Sequence, residues 1–165
     1  MEISIKSLIL FGSLMFTGLS AGLFYSWSVS VIPGIGKVSD VTYLQAMQSI
    51  NRAILNPAFF IVFFGSAVCL SLASIYEFYT NSTAFWILLI STLTYLIGTI
   101  GVTGLGNVPL NDQLEMLNLN DLSPLQAAEF RNFYEINWNR LHLIRMTFAV
   151  VSFSGAIWAF FFQGN

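Results

Sequence analysis

Few side chains in this sequence are equipped for chemistry, and they gather in three groups at the edges of apolar runs. The first is Gln48, Asn51 and Arg52. The second lies in Asn107-Val108-Pro109-Leu110-Asn111. The third descends a single segment through Asn132, Glu135, Trp138, Asn139, His142 and Arg145. His142 is the sole histidine. It is also the one side chain whose ordinary pKa lies near neutrality, which makes it the candidate general base. The guanidinium of Arg145 and the carboxamides of Asn107 and Asn111 are suited to stabilising a developing oxyanion. Trp138 offers a face on which an aromatic ligand can stack. Gln48, Asn51, Asn111, Trp138 and Asn139 are accordingly the candidate ligand-binding residues, and His142, Arg145 and Asn107 the candidate catalytic ones.

Other chemistries lack their residues. Cys69 is the single cysteine, so no intramolecular disulfide and no CxxC redox pair can form. One histidine excludes bis-histidine haem ligation within the chain, and zinc or non-haem iron sites draw on several His or Cys ligands. No metal site is therefore expected. Gly34 and Gly36 lack the strand and the remaining glycine of a nucleotide loop.

Composition sets the elements that must position the three groups. Of the 165 residues 56% are hydrophobic and only 8% charged, where a soluble domain carries about a quarter charged residues. Four charge-free runs, Ser7 to Gly36, Ala53 to Tyr76, Phe78 to Asn111 and Met146 to Asn165, each reach the roughly 20 residues that cross a bilayer core. The expectation is an all-α, four-transmembrane-helix bundle forming one integral membrane domain over residues 1–165. Spans are predicted near 8–32, 57–76, 84–105 and 141–162. The first is too long for a signal h-region and has no small-residue cleavage site after a short apolar core. Lys37, Arg52, Arg131, Arg140 and Arg145 share one side in this arrangement, so the positive-inside bias predicts the two longer loops in the cytoplasm and the termini outside.

Local signals refine the boundaries. Gly18 and Gly22, four apart, read as a helix-packing seam. Pro33-Gly34-Ile35-Gly36 ends the first span. Thr42-Tyr43-Leu44-Gln45 has the capping-box pattern and starts a short amphipathic helix over about 43–54, read as interfacial with Tyr43, Met47, Ile50 and Ile54 towards lipid. Asn56-Pro57 supplies an N-cap and a first-turn proline for span two. Glu77 to Thr83 reads as the turn of an antiparallel hairpin; its Asn81-Ser82-Thr83 matches a glycosylation pattern that is common by chance. Gly98, Gly101, Gly104 and Gly106 put a close-packing face on span three. Ser123-Pro124-Leu125-Gln126 is a second capping box, and no breaker follows until Gly155, so one long helix should run from Pro124 into span four.

The segment around Pro109 reads as a break: Pro109 forces an extended turn and Asn111 caps a helix beginning at Asp112. That leaves Asn107 with no structural task. On the last helix Asn132, Glu135, Asn139 and His142 fall within an arc of about 80°, flanked by Trp138 and Arg145. All three polar groups lie on one side of the membrane in the four-span arrangement. They would roof one end of a bundle rich in aromatic residues, which is the usual form of a small-molecule site.

Gln48-Ser49-Ile50-Asn51 before Asn56-Pro57, then Asn107-Val108-Pro109-Leu110-Asn111, then Trp138 and Arg145, resemble the DUF1772, or anthrone oxygenase-like, membrane proteins. The resemblance covers nearly the whole chain, and the Asn107–Asn111 segment is its most specific part. Family members often carry Asn where this chain has His142. The resemblance implies an oxygenase-like enzyme that converts an anthrone- or hydroquinone-type aromatic to a quinone, with molecular oxygen as co-substrate and neither metal nor flavin. A second reading stays open: a non-catalytic membrane protein that binds lipid or another ligand, or a subunit of a larger complex. The partners expected are membrane lipids, a hydrophobic small molecule, and a second copy of the chain or other subunits; nucleic acid is not among them. Transport fits less well, because the chain has no internal repeat and the spans carry no acidic residue for coupling.

Overall fold

The computed structural model describes residues 4–162, so the terminal residues of the expected 1–165 domain lie outside the described residues. Among the described residues the elements are helical, with no strand. Four helices are long and apolar enough to cross a membrane: α1 (Ile5–Ile35), α3 (Pro57–Phe78), α4 (Ser82–Glu115) and α5 (Pro124–Phe160). A shorter helix, α2 (Asp40–Ala53), joins α1 to α3. The chain is a multi-pass, all-α bundle in which α1 packs on α3, α3 on α4, α4 on α5 and α5 back on α1.

Local rules account for most boundaries. Asn56 caps α3, its side chain accepting from the Phe59 amide, with Pro57 in the first turn. Ser123 and Gln126 form the reciprocal capping box of α5. Asn81 of the glycosylation pattern instead caps α4, accepting from the Ala84 amide. The turn is shorter than expected, because α3 runs to Phe78 and α4 begins at Ser82. α2 begins ahead of its expected start: Ser39, not Thr42, is the N-cap, and Asp40 completes the first turn.

Two further expectations are corrected. α2 does not turn its apolar side to lipid. Tyr43, Leu44 and Met47 are buried against Leu110 and Leu114 of α4 and Ala127, Tyr134 and Trp138 of α5. The other correction concerns Pro109. No extended turn forms there: Asn107 and Val108 keep helical dihedrals, and Val108 to Glu115 is α-helix. Two π-helical stretches, Tyr95–Gly101 and Thr103–Asn107, precede the proline. Their wider turns carry the helix past a residue that has no N–H and whose ring crowds the turn before it. Asn111 is thus mid-helix and caps nothing. α4 becomes a helix of 34 residues, about 50 Å long at 1.5 Å per residue. That exceeds a hydrocarbon core of about 30 Å, so α4 and α5 project together beyond one end of the bundle and hold α2 against them.

The bundle interior is lined with small hydroxyl residues. Ser13, Thr17, Ser66 and Thr92 return their hydroxyls to carbonyls of their own helices, three or four residues back. Tyr95 ties three helices together through Ser20 Oγ (2.7 Å) and the Phe63 carbonyl (3.1 Å). Gly98 is a true close approach, since a Cβ there would collide with Phe148 of α5. Gly18 likewise lies against Phe153, whereas Gly22 faces open space, so the expected α1 seam holds at one of its two glycines. At the hairpin end Lys6 Nζ lies 2.9 Å from Oε1 of the fully buried Glu77. The approach is off the hydrogen-bonding direction, and Oε1 has no hydrogen-bond partner.

Candidate functional site

α3 and α4 pack closely near their connecting turn and part towards the other end, where α3 starts and α4 turns π-helical. The gap opens into a cavity of about 230 Å³. Phe59, Phe60, Phe63 and Phe64 of α3 form one side, Ile100, Thr103, Gly104 and Val108 of α4 another. Phe24 and Trp27 of α1 and Trp138 of α5 complete an almost wholly apolar, aromatic wall. The polar wall residues are Asn51, Thr103, Asn111, His142 and Arg145. Leu55, Phe60 and Phe64 line the cavity and are also exposed on the outer surface. The mouth therefore opens sideways, on the surface that faces lipid in a membrane protein.

α5 supplies the centre of the site. Its buried stripe runs Tyr134, Trp138, His142, Arg145, Ala149, at intervals of three and four that keep side chains on one helix face. The indole of Trp138 and the imidazole of His142 are stacked, 5.1 Å apart at 5°. The guanidinium of Arg145 lies over the Trp138 ring at 5.0 Å and over the Phe24 ring at 4.8 Å. Its Nε and Nη2 reach His142 Nδ1 at 3.3 and 3.1 Å, and Nη1 lies 3.4 Å from Thr103 Oγ1. Arg145 is only 8% exposed. Among the described residues no carboxylate pairs with it; the ion pairs are Lys6–Glu77, Arg52–Glu115, Arg131–Asp40 and Arg131–Glu135.

The neighbours fix the histidine tautomer. Nε2 lies 3.1 Å from the Phe24 carbonyl, which can only accept, and 3.0 Å from Ser28 Oγ. Ser28 gives its own hydrogen to Met146 Sδ at 3.0 Å. Nε2 therefore carries the proton, and Nδ1 presents its lone pair to the guanidinium. Phe24 and Ser28 flank the start of the π-helical turn Trp27–Val31 in α1, a distortion that often marks functional positions.

A second polar group sits where α2, α4 and α5 meet. Trp138 Nε1 and Tyr134 Oη both donate to Asn111 Oδ1, each at 2.9 Å. Asn51 Nδ2 donates to Tyr134 Oη at 3.1 Å. Asn111, a helix cap by its sequence context, is instead the acceptor on which two aromatic side chains converge.

Of the expected site residues, the structure brings Asn51, Asn111, Trp138, His142 and Arg145 to one cavity. Asn107, Gln48 and Asn139 are not on its wall. Asn107 is fully buried between α4 and α5, with Nδ2 on the Trp138 carbonyl at 3.3 Å and Oδ1 unpartnered. Gln48 holds the carbonyls of Leu114 and Leu117 at 2.8 and 3.2 Å, satisfying the end of α4. Arg52 pairs on the surface with Glu115. The polar stripe of α5 also divides, because Glu135 turns to Arg131 at 2.9 Å. Arg131 further donates to the carbonyls of Gly36 and Val38, pairs with Asp40 and covers the Tyr43 ring. It fastens the end of α1 and the start of α2 to α5. Beneath it, burial, and secondarily the charge of Glu135, push the Tyr43 phenol above its usual range.

Sequence reasoning missed Phe24, Trp27, Phe59, Phe63, Thr103 and Tyr134. Tyr134 had a readable signal, lying four residues before Trp138 on the stripe that ends in Arg145. The phenylalanines of α3 had none, since the helix is apolar on every side. No cluster of three or more His, Cys, Asp or Glu positioned to hold a metal occurs among the described residues.

Neither a characterised protein nor a solved structure matched the chain. A family model described as anthrone oxygenase matches residues 52–155. The matched region contains Asn107, Asn111, Trp138, His142 and Arg145, while α1 and Asn51 precede it. With well over half of its length matched, the chain belongs to the anthrone oxygenase family.

Proposed function

We propose that the cavity binds a small hydrophobic aromatic with an acidic C–H or O–H, holds its anion against Arg145 and exposes it to molecular oxygen. The observation that carries this reading is Arg145 itself. A guanidinium in this setting costs on the order of 2.5–3.5 kcal/mol at bilayer mid-depth and less towards the interface. It lies on the wall of an aromatic cavity with two ring faces, a histidine and a threonine for company, and no carboxylate. A ligand that brings an enolate or phenolate oxygen would complete that environment. The size supports an aromatic guest, because an apolar cavity of about 150 Å³ holds benzene and this one measures about 230 Å³.

For an anthrone, the ring methylene and one molecule of oxygen give a ring carbonyl and one molecule of water. The methylene loses a proton to give the enolate, and oxygen adds at that carbon to form a hydroperoxide. Loss of water then breaks the O–O bond and the remaining C–H bond, leaving the quinone. The carbon is oxidised, and oxygen is reduced to the new carbonyl oxygen and water. Arg145 stabilises the enolate and peroxide oxygens. As it turns towards the substrate oxygen it releases His142 Nδ1, the lone pair that accepts the proton. Trp138 stacks on the ring system, and Asn107 acts as a positioning residue through the Trp138 carbonyl. No cofactor takes part. The longer loops face the cytoplasm, and the substrate enters from the bilayer.

The same arrangement supports a binding protein without turnover, because both nitrogens of His142 are engaged by the protein. Oxygen uptake by the purified protein in detergent, with anthrone and hydroxyanthrones, separates the two. Turnover above the spontaneous rate, at least tenfold slower in Arg145→Met and His142→Ala, would support the enzyme. Ligand binding with no added oxygen consumption would leave the binding protein. Turnover that survives both substitutions would remove these residues from the mechanism.

A further inference from the structure

We propose that Asn51 and Asn111 form a second recognition element in the same cavity, selecting ligands with a ring hydroxyl remote from the anionic oxygen. The proposal rests on the preceding reading that the cavity takes an aromatic anion at Arg145.

The argument begins with a residue that can only donate. Trp138 Nε1 has no acceptor capacity, so the Asn111 atom 2.9 Å from it must be Oδ1. Tyr134 Oη contacts the same oxygen at 2.9 Å and must give its hydrogen to it. With that hydrogen used, the phenol oxygen can only accept from Asn51, so the Asn51 atom 3.1 Å away is Nδ2. Both carboxamides are thereby locked in one orientation by a chain that ends on an indole.

The atoms left over are complementary. Asn111 keeps two N–H donors on Nδ2, and Asn51 keeps the lone pairs of Oδ1. Neither atom is among the buried polar atoms without partners, so each is open to the cavity or the water beyond it. Both residues line the cavity, and their amides flank one phenol oxygen. A hydroxyl between them would accept from Asn111 and donate to Asn51. A bare ring edge would strand both groups, and sites built to hydrogen-bond a hydroxyl discriminate strongly against analogues lacking it. Arg145 lies over the face of the Trp138 ring, whereas Asn111 meets its Nε1 edge, so the preferred ligand carries an anionic oxygen at one edge and a hydroxyl at another. Tyr134, fully buried and absent from the wall, is a positioning residue for the pair.

The test uses redox-inert probes: naphthoate and its ring-hydroxylated isomers, titrated anaerobically into the detergent-purified protein by tryptophan fluorescence. At least one hydroxynaphthoate should bind the wild type about tenfold tighter than naphthoate, one hydrogen-bond equivalent. Asn111→Asp keeps the oxygen that Trp138 and Tyr134 donate to but replaces the N–H pair. It should abolish the preference while the fold, followed by size exclusion and melting, is retained. Tyr134→Phe frees the Asn51 amide while Trp138 still holds Asn111; it should reduce the preference with naphthoate affinity unchanged, which a general loss of structure would not produce. Naphthoate and all hydroxylated isomers binding the wild type equally would overturn this proposal and spare the aromatic-anion reading. A preference that persists in folded Asn111→Asp would also overturn it. No binding of any naphthoate would remove the aromatic-anion reading and this proposal with it.

Discussion

Replacing Arg145 by methionine separates a residue kept for a ligand from one kept for the fold, because the two roles predict opposite effects. In the folded protein the guanidinium sits at 8% exposure without a carboxylate. Its burial costs up to about 2.5–3.5 kcal/mol. Against that stand two ring faces, at 5.0 and 4.8 Å, worth about 0.5–2 kcal/mol each. The hydrogen bonding to His142 adds about 1.5–3 kcal/mol for a charged donor. The Thr103 contact, at 3.4 Å, is too long to add much. Because both donors share the one Nδ1 lone pair, the favourable terms are taken at their lower ends, where they nearly cancel the cost. Methionine removes both sides of this balance and fills the space with an apolar stem, so stability should change by no more than about 1–2 kcal/mol in either direction. At roughly 2–4 °C per kcal/mol for a chain of this size, the melting temperature should stay within about 8 °C of wild type. Binding behaves differently: loss of one charge-assisted bond should weaken an aromatic anion about 10- to 150-fold. The assay pairs a thermal melt in detergent with naphthoate titration on the same preparation. A melting temperature lowered by well over about 8 °C, with affinity retained in the folded fraction, would refute the reasoning and make Arg145 a structural residue.

Three further outcomes follow from the packing. Gly98→Ala should destabilise the bundle by about 1–3 kcal/mol through overpacking against Phe148; Gly104→Ala, with nothing within 4 Å of its added methyl, should be neutral or slightly stabilising, and parallel melts compare them. Lys6→Met should destabilise by up to about 3–5 kcal/mol, because it strands the buried Glu77 carboxylate. The double variant with Glu77→Leu should recover much of that loss, and a cycle of chemical melts measures the coupling. Arg131→Ala removes the bonds to Gly36, Val38, Asp40 and Glu135; hydrogen exchange should accelerate in α2 and the end of α1 while the core of α3 stays protected.

Much of this molecule is legible in one dimension. A bilayer demands long, charge-poor helices, so the four spans follow from run lengths alone, and Asn56-Pro57 and Ser123–Gln126 act as caps because capping depends on residues three apart. The site was only partly legible. Trp138, His142 and Arg145 share a helix face by spacing, but the partners that define them do not lie nearby in sequence. Phe24 and Ser28 set the His142 tautomer from 118 and 114 positions away, and Asn51 meets Tyr134 across 83. Pro109 read as a break because the local rule assigns it a steric penalty; only the π-helical turns before it relieve that penalty and leave Asn111 inside a continuous helix. The amide that looked fully explained, Asn111, thus became a wall of the cavity, and the one that looked unexplained, Asn107, became a strut between helices. The sequence by itself determined a multi-pass all-α bundle with its polar residues gathered at one end. Tertiary structure alone decided which of them share a cavity and how their donors and acceptors point, because direction is a property of contacts between helices that no single helix encodes.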